Sequence, residues 1–318
     1  MIHSEMYKIA LIIPYFGEFP VWMDLFFSSC RWNHNISSNI TIDWFFITDN
    51  LDNEFIRKEC PYLHFINVDF EEYCRSVSDK LDIEFTPSKA YKLCDLKPFY
   101  GIIHKDLLED YTHWGYGDID LCYGDLSLLI DEERLSRFDL LTTHADRVAG
   151  HLTIIRKESK YTRMCFQIDN YKSKLMQGNL GLDEHDFTNL VRSSMAYWEY
   201  VYRRFLKKTF RKVGLCMYDF MRIPNWIHNL FSKSYMREYY TSLLPKNGEV
   251  WYLDLKEHKI YNPQNKEIPY LHFLFFKKTP YCDTPNYWKP GFYQLRGSIP
   301  TSGYILFSNE KIAYKEHL

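Results

Sequence analysis

A chain of 318 residues that is 46% hydrophobic and 25% charged has enough apolar material for a substantial core, which excludes a disordered or collagenous polymer. A formal net charge of −2 lacks the basic footprint that neutralises phosphates, so no nucleic-acid partner is expected. Eight cysteines stand singly, with no Cys-x-x-Cys pair, in a chain long enough to fold without cross-links, which points to reduced thiols and a cytoplasmic protein. The 26 tyrosines and 23 phenylalanines suit core packing first, then sugar-stacking or membrane-interface contact.

The chain opens directly into Ile9-Ala10-Leu11-Ile12-Ile13, an apolar run too short for a signal peptide or a membrane span. Ended by Pro14, it reads as a buried parallel-type strand, with Tyr15-Phe16-Gly17 as the loop at its carboxyl end. Residues 22–30 read as a helix, and residues 42–49 as a second strand ending in the polar pair Thr48-Asp49. Strand, helix, strand opens a doubly wound α/β unit. A third strand is expected at 63–68, a helix at 96–108 beginning near Pro98, and a strand at 111–118. A short helix at 124–130 and strands at 139–143 and 150–156 follow. From 197 to 240 the composition changes: Arg203, Arg204, Lys207, Lys208, Arg211, Lys212, Arg222, Lys233 and Arg237 mix with aromatics against Glu199, Asp219 and Glu238. β character returns at 250–255 and 270–276. These shifts divide the chain into a core at 1–192, a helical basic and aromatic subdomain at 193–249, and a β-rich segment at 250–318.

The densest chemical signal is Trp114-Gly115-Tyr116-Gly117-Asp118-Ile119-Asp120. In an extended segment the period of two puts Asp118 and Asp120 on one face, where two hard oxygen ligands can hold one divalent cation; the bland alternative is a solvated acidic turn. In an α/β sheet this triplet, the Tyr15 to Gly17 loop and Thr48-Asp49 would converge on the ligand-binding edge. At these residues the sequence resembles bacterial nucleotide-sugar glycosyltransferases of the GT-A type, specifically the capsule and lipopolysaccharide group with a Trp-Gly-Tyr-x-Asp-x-Asp block. The matching residues are Ile13-Pro14-Tyr15-Phe16-Gly17, Thr48-Asp49, Lys92-Leu93-Cys94-Asp95-Leu96-Lys97-Pro98, Trp114 through Gly124-Asp125, and Gly150-His151. The resemblance covers most of residues 8–190, and the tryptophan-to-aspartate block is its most specific part.

The resemblance implies an α/β fold with a GT-A-like, Rossmann-type mixed sheet flanked by helices and a helical insertion toward the C-terminal third. It implies a Mn²⁺ or Mg²⁺ ion and transfer of a sugar from a nucleoside diphosphate sugar, a UDP-sugar by weight of class, to a saccharide acceptor. A divalent ion bridging both phosphates would stabilise the departing diphosphate as a Lewis acid. Asp118 and Asp120 would hold the metal, or Asp118 the ribose or donor sugar with Asp120 alone on the ion. His272 is the further ligand that the resemblance places late in the chain, with Lys277 and Lys278 offsetting phosphate charge; its plain alternative is a core histidine.

Pro14, Tyr15, Phe16 and Gly17 would flank the base and ribose, by ring stacking and close backbone approach, or form only a strand-end turn. Asp49 would accept from the base or a ribose hydroxyl, or cap a helix. Lys92, Asp95 and Lys97 would meet phosphate or sugar, or pair on the surface. His151 would line the donor-sugar or acceptor pocket. In Gly181-Leu182-Asp183-Glu184-His185-Asp186, Asp183 or Glu184 would serve as the catalytic carboxylate, or the cluster is an acid-rich helix start. The basic stretch at 197–240 suits peripheral contact with an anionic membrane, where lipid-linked acceptors reside, or acceptor binding or plain packing. A metal-dependent nucleotidyl or phosphoryl transferase would need a glycine-rich Lys-Ser/Thr phosphate loop, which the sequence does not show; a non-catalytic carbohydrate-binding protein would not need the acidic pair.

Overall fold

The computed structural model describes residues 6–50, 60–193, 232–242, 249–273, 291–295, 298–308 and 310–318. Its strands are β1 (Tyr7–Pro14), β2 (Asn35–Ser37), β3 (Ile40–Thr48), β4 (Leu63–Asn67), β5 (His113–Gly117), β6 (Leu121–Tyr123), β7 (Leu140–Thr142) and β8 (Leu152–Arg156). They continue with β9 (Ser234–Met236), β10 (Val250–Asp254), β11 (Lys259–Tyr261), β12 (Glu267–Ile268), β13 (Tyr270–His272), β14 (Tyr304–Ser308) and β15 (Ile312–Lys315). The fold is mixed α/β, with parallel and antiparallel strands flanked by helices, as the sequence leads one to expect. The chain forms two compact units: Met1–Phe70 with Gly117–Glu132 and Tyr239–Leu318, and Glu71–Tyr116 with Glu133–Glu238.

In the first unit β1 runs parallel to β3 in the register Tyr7↔Ile40 to Pro14↔Ile47, and β4 runs parallel to β3 on its other side. Ile9, Ala10, Leu11 and Ile12 are wholly buried, which is why this run carries no polar alternation. The helix Met23–Asn33 lays Phe26 and Phe27 edge-on against Phe46 of β3 at 6.1 and 5.4 Å. A separate antiparallel sheet in the order β12-β11-β10-β14-β15 turns Trp251, Leu253, Ile260, Ile305, Phe307 and Ile312 into a core shared with Leu25, Cys122 and Leu271. β6 and β13 pair antiparallel, setting His272 opposite Leu121.

In the second unit the strand order is β5-β8-β7-β9, with β7 antiparallel to β8 and parallel to β9. The helix Phe70–Leu81 buries Tyr73, Cys74, Val77 and Leu81, one stripe of a 3.6-residue period. The helix expected to begin near Pro98 starts earlier and takes another form. A 3₁₀ helix spans Ala90–Phe99, followed by a short α-helix at Tyr100–Ile103 and a 3₁₀ turn at Lys105–Leu108. Pro98, which has no N–H to donate, lies inside the 3₁₀ run, where continuous α-type bonding is already absent.

Two further expectations change. The strand expected at 111–118 ends at Gly117, so Asp118, Ile119 and Asp120 occupy a bend rather than a pleated face. The helix expected at 124–130 is a 3₁₀ turn, Leu126–Leu128, whose first amides are capped by Asp125 accepting from the Ser127 N–H at 2.8 Å. Most of the basic stretch at 197–240, and Lys277 with Lys278, lie outside the described residues. Among the described residues no helix is long and apolar enough to cross a membrane, and the six cysteines there are free thiols.

Candidate metal and nucleotide site

Among the described residues one trio of potential metal-ligating side chains comes together: Asp118, Asp120 and His272, whose ligand atoms lie within 4.8 Å of one another. Asp120 and His272 are buried, at 2% and 7% exposure, and Nε2 of His272 is 3.4 Å from Oδ2 of Asp120. The β6–β13 pairing supplies the alignment. It is extended by the Phe273 N–H donating to the Asp120 carbonyl at 2.8 Å and the His272 N–H donating to the Thr241 carbonyl at 2.7 Å. Trp22, just ahead of the first helix, closes the third side: its Nε1–H donates to the Ile119 carbonyl at 2.9 Å, and its ring meets Phe273 edge-on at 6.1 Å.

The donor set fits a hard or borderline dication. Two carboxylate oxygens and one imidazole nitrogen, all within 4.8 Å of one another, are the hard and borderline donors that Mg²⁺ would take. Two carboxylates with an imidazole accept Mn²⁺ as well. The two-residue spacing read from the sequence therefore does join these aspartates, through a bend instead of a strand.

The strand-end loops of the same unit are tied to each other. The Gly17 N–H donates to Oδ1 of Asp49 at 2.8 Å, and Nδ2 of Asn50 donates to the Gly17 carbonyl at 3.2 Å. Gly17 sits at φ +99°, a conformation that favours glycine, and its exposed Cα leaves open space. Tyr15 stacks on Phe19 at 5.4 Å and donates from its hydroxyl to the Glu18 carbonyl, while Phe16 meets Phe70 edge-on at 5.2 Å. Pro14 ends β1, Thr48 is fully buried, and its hydroxyl accepts from the Asn50 N–H at 3.1 Å. Asn33 is a tether that sequence reasoning missed. Its buried amide donates to the carbonyls of Ser29 and Gly124 and accepts from the Leu126 N–H, pinning the first helix to the segment after the triplet. A polar residue closing an apolar helix was the only signal for it.

A second polar cluster belongs to the second unit. Lys92 and Asp95 form a buried pair at 2.7 Å; the ammonium also donates to the carbonyls of Lys174 and Gly178, and the carboxylate accepts from the N–H groups of Leu180 and Leu182. Such a buried pair is tolerable because its polar atoms are satisfied. It moors residues 174–182, which lead straight into Asp183 and Glu184. Those two carboxylates lie in a turn before the helix Asp186–Ser193. Asp183 is 4% exposed, with Nζ of Lys97 at 3.8 Å from its Oδ2. Glu184 accepts from the Gly150 N–H at 3.2 Å and faces Nε of Arg147 at 3.7 Å, a partner the sequence did not suggest. Burial, reinforced by the Asp183 carboxylate, pushes the Tyr116 phenol well up. His151 is buried, 3.4 Å from the Thr143 hydroxyl, with its ring edge-on to His144.

The fold and the trio together define an α/β protein with a candidate Asp, Asp, His cation site in the same unit as the tied strand-end loops. The chain belongs to a family of unknown function, DUF6625, which matches residues 11–288. No curated protein matches it. Among solved structures it is similar to mouse xyloside xylosyltransferase 1, at 10% identity and a TM-score of 0.36, over 58% of this chain and 81% of that one. It is also similar to the glycosyltransferase GlyE of Streptococcus pneumoniae TIGR4, at 11% identity and a TM-score of 0.31, over 65% of this chain and 50% of that one. Likenesses of this depth say nothing of reaction or substrate, and the functional reading rests on the residues themselves.

Proposed function

We propose that the protein is a metal-dependent glycosyltransferase that moves a sugar from a nucleoside diphosphate sugar, a UDP-sugar, to a saccharide or lipid-linked saccharide acceptor in surface polysaccharide synthesis. The observation that carries this reading is the Asp118, Asp120 and His272 trio, built in the same unit as the hydrogen-bonded loops of Gly17 and Asp49. When bound, a Mn²⁺ or Mg²⁺ ion would supply Lewis-acid stabilisation of the negative charge that grows on a departing diphosphate.

The chain's own residues then have distinct tasks. Asp118, Asp120 and His272 hold the ion. Pro14, Tyr15, Phe16, Gly17, Thr48 and Asp49 form the base and ribose wall, with Tyr15 and Phe16 as stacking rings and Asp49 as the hydrogen-bond acceptor. Lys92, Asp95, Lys97 and His151 serve the phosphate and sugar side, the first pair by mooring the 174–182 segment. Asp183 or Glu184 takes the proton of the acceptor hydroxyl or braces the sugar. Lys277 adds charge toward the diphosphate. The basic stretch at 197–240 brings the enzyme to an anionic membrane face.

Calorimetric titration of UDP, with and without Mn²⁺, tests the reading on wild type, Asp120→Asn and Asp118→Ala/Asp120→Ala. Metal-dependent UDP binding should weaken by about 100-fold in Asp120→Asn, about 3 kcal/mol, and vanish in the double variant. Failure of every nucleoside diphosphate to bind wild type under any metal condition would sink it.

A further inference from the structure

The outer face of the C-terminal antiparallel sheet carries a feature that the cation centre does not use. Its inner face is wholly apolar, so the alternation along each strand should place polar residues outside. Three tyrosines stand there instead. Tyr252 and Tyr261 are direct cross-strand partners between β10 and β11, with rings stacked at 5.0 Å and 23°. Tyr304 of β14 meets Tyr252 edge-on at 6.0 Å. Leu306, opposite Tyr252, lies on the same face. All four side chains are only partly buried. Aromatic pairs across neighbouring strands stabilise a sheet, but half-exposed rings on three adjacent strands also make a contiguous amphipathic surface of the kind that marks an interaction site.

The polar groups on this face select the occupant. Asp254 and Lys259 are opposite each other, and Tyr304 is opposite Lys315. Lys259 pairs with Glu267 at 3.6 Å. These acids and lysines balance, and Asp125 and Glu257 also lie near Lys259 and Tyr261, so the face carries no excess positive charge and offers no attraction to a polyanion or an anionic lipid surface. Asp254 is already engaged, its Oδ1 accepting from the Lys256 and Glu257 N–H groups, and the Tyr252 hydroxyl donates to Asn265. What remains is a cluster of partly exposed rings, their inner faces turned to one another, with hydroxyls at the rims. A pyranose ring matches that pattern, since its C–H face packs on an aromatic ring while its hydroxyls reach polar rims.

We propose that this face is a glycan-binding platform that takes a neutral oligosaccharide chain by packing it against the exposed parts of the Tyr252, Tyr261 and Tyr304 ring cluster. It lies across the sheet from β6 and β13, whose Cys122 and Leu271 pack in the core beneath the inner face. It is therefore distinct from the cation trio, and it stands whether or not the transferase reading does. A chain held at two places, platform and reaction centre, would gain avidity for long over short glycans.

Native affinity electrophoresis in gels containing soluble starch, dextran, galactomannan or mixed-linkage β-glucan, with EDTA present and nucleotide absent, tests the platform apart from the cation centre. At least one neutral polysaccharide should retard wild type, and Asp120→Ala should be retarded equally. Tyr252→Ala/Tyr304→Ala should bind about tenfold more weakly while still folded at the assay temperature, shown by a cooperative thermal transition above it, and Tyr252→Phe, which keeps the ring, should retain most of the binding. Any of three results would overturn the proposal: no retardation by any of the four polymers, equal retardation of the alanine variant, or a Tyr252→Phe loss as large as the alanine loss. Binding to vesicles of phosphatidylcholine and phosphatidylglycerol that the same alanine changes abolish would also overturn it, by assigning the face to a membrane.

Discussion

Gly150→Ala tests how tightly the second unit is built around its buried carboxylates. A Cβ at this position would lie 2.6 Å from Oδ2 of Asp183 and 3.3 Å from Oε1 of Glu184. Against an ordinary contact of 3.4 Å the first distance is short by about 0.8 Å, well inside the repulsive wall. Glu184 has room to yield, because its side chain is 37% exposed. Asp183 does not: it is 4% exposed and sits near Lys97, so the alanine methyl must displace a packed, charged group. Overpacking of that kind costs about 1–3 kcal/mol. Equilibrium unfolding in urea should show this loss in wild type and almost none when Asp183 is already alanine, because the second change removes the atom that the methyl strikes. The coupling in this double-mutant cycle should therefore nearly equal the single-variant cost. If Gly150→Ala costs the same in both backgrounds, or less than about 0.5 kcal/mol in wild type, then Asp183 is not what requires a glycine there.

Two other outcomes follow from buried polar groups. Asn33→Ala removes the partner of the buried Gly124 carbonyl and Leu126 N–H, so stability should fall by about 2–4 kcal/mol, and Mn²⁺ affinity measured by calorimetry should fall with it; unchanged metal affinity would disconnect this tether from the trio. His104 and His113 are each driven down to about 3, mainly by burial, with Lys80 and Arg156 respectively adding to the effect. The unfolded chain takes up these two protons near the ordinary histidine value while the fold refuses them, so protons favour unfolding between about pH 6.5 and 3. Stability should be unaffected by these groups above pH 6.5 and should decline below it with a limiting slope of about two protons, about 3 kcal/mol per pH unit. Urea midpoints at stepped pH should show half that slope in His104→Gln, and an unaltered slope would mean that His104 is charged in the fold.

Much of the scaffold was legible because the signals are local. An unbroken apolar run of five ended by proline and a turn reads as a strand covered on both faces, and β1 is one; the polar pair after residues 42–47 likewise marks where β3 meets its loop. The junction between Gly17 and Asp49 follows from two parallel neighbours ending at the same edge. At 90–108 Pro98 is a misleading start signal, because the 3₁₀ run, with Lys92, Asp95 and Lys97 buried, begins eight residues earlier. Side chains that act by tethering distant segments, such as Lys92 to residues 174–178 and Asn33 to 124–126, satisfy needs that no local window contains.

The acidic triplet shows the same division between pattern and placement. Fully extended, Asp118 and Asp120 would have α-carbons about 6.6 Å apart, with parallel side chains and no reason for a third ligand to lie between them. In the bend the two aspartates and His272 bring their ligand atoms within 4.8 Å, and both carbonyls after Asp118 are held by remote donors: Ile119 by the Trp22 indole and Asp120 by the Phe273 amide. The spacing in the sequence therefore names the candidate ligands, but their geometry is imposed by an indole about a hundred positions earlier and a strand about a hundred and fifty positions later. Trp22→Phe keeps the apolar wedge and removes only the N–H. It should leave the global fold intact yet weaken Mn²⁺ binding, and a variant that binds the ion as tightly as wild type would show that the bend holds its shape through β6 and β13 alone.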